Sequence, residues 1–262
     1  MRLVDNTQFQ MGSTMKPAND SKWEDFIDQA KKFYVVKIKG YDPNKLAAVT
    51  LAFEGEETWC NMAHKQVLDI AKLYQGMAGG AENGMRGYLL TYLIAYIRDF
   101  AAEHCIIAES FETSCPWNKV SELCRRVEKR MRDDSTRMGF PGNSAWCSFR
   151  VTQLYETGAA VYVYLALNYK NYKGDKQGHE LVDVYEEIEN GARDEVFKCG
   201  GCISHHHGVG KIRKRFVERT MPDMAVEWNK KIKDSVDPNN IFGINNTFIR
   251  SEEERKEIFS KP

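Results

Sequence analysis

Apolar positions along the chain change period several times, and each change marks an element. Leu46 to Phe53 is a short apolar run between Pro43 and Gly55, and Trp59, Met62, Ala63, Val67, Ile70 and Tyr74 follow at helical spacing. That pattern predicts a strand and then an amphipathic helix. A second helical stripe from Gly87, carried by Leu89, Leu93, Tyr96 and Phe100, leads into the β-type run Cys105 to Phe111. Thr113-Ser114-Cys115-Pro116 then offers a capping hydroxyl and a first-turn proline, predicting a helix to about Met131. Trp146 to Gln153 and Ala159 to Asn168 are rich in β-branched and aromatic residues, and Glu156-Thr157-Gly158 suits the hairpin between them. In the second of these strands Val161, Val163, Leu165 and Leu167 share one face, opposite Tyr162, Tyr164 and Ala166. A further helix over about Glu180 to Phe197 aligns Leu181, Val184, Tyr185, Ile188, Ala192 and Val196 and stops at Gly200-Gly201. Loops are expected at Lys16 to Ser21, Asp133 to Ser144 and Asn171 to Gly178. With no regular βαβ repeat, the pattern implies an α+β fold, an antiparallel sheet covered by helices.

Composition narrows the partner. The 262 residues are 42% hydrophobic and 28% charged, enough to bury a core without disulfide or metal staples. Lys+Arg and Asp+Glu balance at 37 each, which argues against nucleic acid and against a polybasic membrane contact and favours a small molecule. The longest apolar run, Tyr88 to Ile97, is about half of the ~20 residues a membrane-crossing helix needs. Seven scattered cysteines form no disulfide framework and read as thiols in a reducing compartment, and neither end carries a readable address.

The strongest chemical signal is Cys202-Ile203-Ser204-His205-His206-His207-Gly208-Val209-Gly210-Lys211. In an extended segment, neighbouring imidazoles point to opposite sides, so at most two of the three enter one site. A helix starting near Lys211 would aim its amides at an anion. Cys199 and Cys202 form a CxxC that His205 or His207 could extend into a zinc site, but no second ligand pair exists at the usual spacing. Zinc therefore ranks low, and no metal is expected. Arg98 is a cation on an otherwise apolar helical face. Its fork suits a phosphate, and Asp99 or Glu103 are its local alternatives. Taken alone, Tyr162 and Tyr164 read as amphipathic packing.

Together, Arg86-Gly87-Tyr88-Leu89-Leu90-Thr91-Tyr92, Ala95-Tyr96-Ile97-Arg98-Asp99, Glu109-Ser110-Phe111-Glu112-Thr113-Ser114, Ser204 to Lys211 and Asp237-Pro238-Asn239-Asn240-Ile241-Phe242-Gly243 resemble the alkylglycerone-phosphate synthases. These belong to the wider group of flavin enzymes related to vanillyl-alcohol oxidase. The motifs stand in the family's order, and the similarity runs from Arg2 to about Phe248. It implies the cap domain of an FAD-linked oxidase type, with the flavin-binding domain absent or truncated. On that reading residues 1–200 form the cap and substrate domain, 201–248 a histidine-rich segment returning to the flavin side, and 249–262 a charged tail. The family's reaction exchanges the acyl group of acyl-glycerone phosphate for a long-chain fatty alcohol, forming an ether bond with FAD and no net redox change. By motif, Tyr162 resembles the acid/base tyrosine, Arg98 the phosphate ligand, and His205, His206 and His207 the histidine cluster needed for activity. Arg2, Ile244, Asn245, Asn246, Thr247 and Phe248 match other positions on which activity depends. The resemblance also implies a peroxisomal location, peripheral membrane contact and a homo-oligomer, with this chain alone inactive. Two other functions remain open: a non-catalytic binding module lacking FAD, and a related flavin-dependent hydroxy-acid oxidase. The segment around Asn171 to Gly178, Cys199 and Cys202, and the tail from Ser251 depart from the family without removing a motif residue.

Overall fold

In a computed structural model of the chain, strand β1 (Arg2–Val4) leads into α1 (Asn6–Thr14), α2 (Lys22–Phe33) and a π-helical turn, Tyr34–Ile38. Then come β2 (Ala48–Thr50), α3 (Glu57–Leu73), α4 (Ala81–Glu103) and β3 (Ile106–Pro116). A 3₁₀ turn, Trp117–Lys119, opens α5 (Val120–Arg137), and β4 (Ala145–Leu154), β5 (Gly158–Asn168) and α6 (His179–Lys198) follow. A second 3₁₀ turn, Lys214–Phe216, precedes α7 (Val217–Thr220) and α8 (Asp223–Val236). The structure describes residues 1–15, 21–174, 179–244, 246, 248, 253, 254 and 256, without the side chains of 24, 86–95 and 179. The expected loop at Lys16 to Ser21 lies almost wholly outside the described residues, as do residues 175–178 of the segment Asn171 to Gly178.

The five strands make one antiparallel sheet in the order β2-β1-β4-β5-β3, so the fold is α+β as the pattern implied. The chain divides into two compact units. The first comprises Met1–Ser110, Asn143–Glu156 and Val161–Asn171; the second comprises Phe111–Gly142, Thr157–Ala160 and Tyr172–Pro262.

In the first unit, Asp5 ties helix to sheet. Its carboxylate caps α1 by accepting from Gln8 N at 2.8 Å, and it also accepts from Phe149 N at 2.7 Å and Ser148 Oγ at 2.9 Å on β4. The alternation in β5 is realised: Val161, Val163, Leu165 and Leu167 are buried, while Tyr162, Tyr164 and Ala166 are half-buried on the other face. The stripe on α3 forms a helix, but Trp59, Met62, Ile70 and Tyr74 on it are exposed.

In the second unit, α5 and α6 pack together. Leu123, Val127 and Met131 are buried on α5, and Tyr185, Ile188, Ala192 and Val196 on α6. Gly191 permits the close approach, since a Cβ there would lie 2.4 Å from Asp134 Oδ2. Arg126 bonds Glu195 at 2.8 Å across the pair. Ile188 is 0% exposed, so Ile188→Ala leaves a cavity and is expected to cost about 2–5 kcal/mol in urea unfolding.

Two expected helix starts differ. Thr113 to Pro116 does not open a helix but continues β3, and α5 begins only at Val120, with no side-chain cap. The hydroxyls are taken by the segment after α6: Thr113 Oγ1 donates to Cys202 O at 2.6 Å, and Ser114 Oγ lies 3.1 Å from Cys202 Sγ. The stretch from Lys211 is likewise not a helix up to the 3₁₀ turn, and α7 is confined to Val217–Thr220. Gly208 and Gly210 stand at φ +75° and +60°, left-handed conformations that break a helical start.

Candidate active site

The histidines lie on a turn, not an extended segment. After α6 the chain crosses β3, where Cys202 Sγ accepts from Ser114 N at 3.2 Å, and then closes around Glu112. Glu112 Oε1 accepts from Ser204 Oγ at 2.7 Å and from the amides of His205, His206 and His207 at 2.8, 3.0 and 2.9 Å. Oε2 accepts from His205 N at 2.7 Å. Three successive amides converging on one carboxylate form an anion nest, filled from within the chain. Glu112 is 0% exposed, and burial alone would raise its pKa. Bonds from His207 N, Ser204 Oγ, His206 N and His205 N outweigh burial and hold it at about 2.

His206 and His207 are exposed and His205 is half-buried, and His206 Nδ1 lies 3.7 Å from Glu112 Oε2. His205 Nδ1 lies 3.0 Å from His206 Nδ1, a spacing at which one nitrogen donates and the other accepts. The ring centroids of His206 and His207 are 4.6 Å apart. Burial pushes the His207 pKa down, against the opposing pull of Glu112, which favours the neutral imidazole.

Glu112, His205 and His206 bring ligand atoms within 4.8 Å of one another. Four donors already reach the carboxylate through five contacts, and a metal ion at this group would compete with them. Among the described residues, neither Cys199 nor Cys202 belongs to such a convergent group. Burial raises the Cys199 pKa above the usual thiol value.

The remaining candidates fall in both units. Tyr162 is in the first unit, its ring 6.2 Å from that of Tyr164, over which the Arg150 guanidinium sits at 5.1 Å. Burial raises the Tyr164 pKa, with Arg150 and then Arg2 opposing, which places both cations near its phenol. Arg98 is in the same unit. Its partner is neither Asp99 nor Glu103 but Glu109 on β3, at 3.1 Å, with the two side chains 55% and 43% exposed. In the second unit Asp237 accepts from Ile241 N at 2.9 Å and Phe242 N at 3.0 Å, and it pairs with Lys233. That turn, with Gly243 at φ +60°, leads into Ile244, Asn246 and Phe248, while Asn245 and Thr247 lie outside the described residues. Glu112 is the residue that sequence reasoning passed over. Its signal was an acid in a strand beside Phe111, since a buried carboxylate requires donors.

A family model for FAD linked oxidases, C-terminal domain, matches residues 1–244. The chain belongs to that family. As a member of the FAD-linked oxidase C-terminal domain family, it is 42% identical over 242 residues to the alkyldihydroxyacetonephosphate synthase of Caenorhabditis elegans, covering 92% of this chain and 39% of that protein. It is 23% identical over 216 residues to the synthase of that name from Trypanosoma brucei brucei, covering 82% and 34%. The Dictyostelium discoideum synthase is 24% identical over 241 residues, covering 92% and 38%. The chain thus spans about two-fifths or less of the length of these relatives. Two solved structures of alkyldihydroxyacetonephosphate synthase share the fold, one with TM-score 0.60 at 19% identity covering 92% of this chain and 38% of that one. The other has TM-score 0.57 at 20% identity, covering 92% and 37%.

FAD, which the family implies, can be weighed against the residues present. The histidine nest is the kind of amide cradle that holds a phosphate, and Glu112 fills it, so this loop does not hold a flavin pyrophosphate. What the loop offers is imidazoles, with His206 and His207 exposed. Imidazoles are suited to proton transfer near neutral pH.

Proposed function

We propose that the chain is the C-terminal portion of an alkyldihydroxyacetonephosphate synthase. In this role it helps exchange the acyl group of acyl-glycerone phosphate for a long-chain fatty alcohol, releasing a fatty acid and forming the ether bond of ether lipids. The 42% identity across 92% of the chain carries this reading. The exposed imidazoles of His206 and His207 support it, because carboxylate departure and alcohol addition both require proton movement.

In the complete enzyme, Arg98 binds the substrate phosphate through its guanidinium fork, displacing the half-exposed Glu109. Tyr162 moves a proton at its phenolic oxygen. His207 accepts a proton at a ring nitrogen, and His205 and His206 complete the cluster. Arg2 and Ile244 to Phe248 support activity. FAD, when bound, supplies electrophilicity at the reacting carbon without net electron transfer. On this reading the complete enzyme is peroxisomal, a homo-oligomer, and in peripheral contact with the membrane. Among the described residues no helix is long and apolar enough to cross a membrane.

The test is label transfer: FAD-loaded full-length enzyme carrying this sequence should place labelled hexadecanol in an ether that survives saponification, and label only in ester would refute the reading. Arg98→Lys keeps the charge and loses the fork. It should raise KM for acyl-glycerone phosphate about 10- to 100-fold. An unchanged KM would remove Arg98 from the phosphate site.

A further inference from the structure

We infer that Glu112 is a positioning residue for the synthase reaction: its buried carboxylate gathers the amides of His205, His206 and His207 and thereby fixes where the three imidazoles stand. The inference rests on the proposed synthase reading for its effect on rate. The geometry beneath it is independent of that reading. One acid, 0% exposed, is held by Ser204 Oγ and three consecutive amides at 2.7 to 3.0 Å, and its own strand is 92 to 95 residues away in sequence. The turn lies between the end of α6 and the 3₁₀ turn that precedes α7, outside any helix or strand.

The charge matters as well as the shape. Amides arranged to point at one spot repel one another unless an anion sits there. Glutamine keeps the volume and can present its carbonyl oxygen where Oε1 stands, but it loses the negative charge that the converging amides face and turns an NH₂ toward His205 N, from which Oε2 accepts in the wild type. The turn should then open, carrying the imidazoles with it. Glu112 touches no reacting atom in this scheme; it acts through the loop. A displacement of about 1 Å in a proton-transfer group is enough to lower a rate about 10²-fold.

The experiment uses the FAD-loaded full-length enzyme and compares wild type, Glu112→Gln, Glu112→Asp and His206→Ala. Hydrogen exchange at the amides of His205 to His207 should be slow in wild type and at least tenfold faster in Glu112→Gln, with exchange in α5 and α6 unchanged. Turnover should fall about 10²-fold at saturating substrate, with KM for acyl-glycerone phosphate within about threefold and FAD content intact. Glu112→Asp retains the charge on a shorter arm, so it should recover part of both the protection and the turnover. It also serves as the test if Glu112→Gln does not fold. Unchanged protection in the Gln variant would overturn the inference. So would lost protection with full turnover, if His206→Ala is inactive. If His206→Ala and Glu112→Gln both turn over normally, the histidine assignment itself fails, and the inference falls with it. A drop in Glu112→Gln that Asp does not relieve at all, with FAD lost, would show a folding role and overturn positioning.

Discussion

Tyr162→Phe in the complete FAD-loaded enzyme is expected to lower turnover about 10²-fold or more, the usual scale for general acid–base help. The substitution removes only the hydroxyl. The ring and its place beside Tyr164, 6.2 Å away, remain, and the buried row Val161, Val163, Leu165 and Leu167 is untouched on the opposite face. Lost packing cannot then account for a lost rate. Tyr164→Phe is the matched control. Burial raises the Tyr164 pKa and Arg150 lies 5.1 Å over its ring, a cation–π contact that phenylalanine preserves, so turnover should change by less than about threefold. Wild-type turnover in folded Tyr162→Phe would reduce that residue to part of the sheet.

His206→Ala is expected to lower turnover to a similar degree, about 10²-fold. The alanine variant keeps the amide that donates to Glu112 at 3.0 Å, so the nest stays closed and only the imidazole is removed. His206 is the middle ring, with His205 Nδ1 at 3.0 Å on one side and the His207 ring centroid at 4.6 Å on the other. Its loss therefore interrupts the row, while the melting temperature should hold because the side chain is 41% exposed. His104→Ala, at the end of α4 and stacked edge-on against Phe100, is a control expected to keep full turnover. A His206→Ala enzyme with more than half of wild-type turnover would exclude the imidazole from the chemistry.

What the sequence disclosed follows from how local each signal is. β5 and α6 are legible because one-sided burial imposes period 2 on the strand and a 3.6-residue stripe on the helix. The start of α5 is not. The hydroxyls of Thr113 and Ser114 look like caps until Cys202, 88 to 89 residues further on, is folded against them. Arg98 misleads in the same way, because near neighbours Asp99 and Glu103 are visible in the sequence while Glu109 becomes a partner only through the turn between α4 and β3. The histidine run announces itself as unusual, but its shape is written in Glu112, and nothing local to residues 205–207 reveals that three amides share one carboxylate. The α3 stripe marks a helix correctly but not its partner, and Trp59, Met62 and Ile70 remain 50%, 53% and 57% exposed. Periodicity specifies which side of an element is apolar; what covers that side is a tertiary fact.

The synthase reading makes a stoichiometric demand that a flavin oxidase does not share. FAD-loaded full-length enzyme supplied with acyl-glycerone phosphate and labelled hexadecanol should release one fatty acid for each labelled ether formed while consuming no oxygen. Oxygen uptake driven by a hydroxy acid, with no label in ether, would contradict the account.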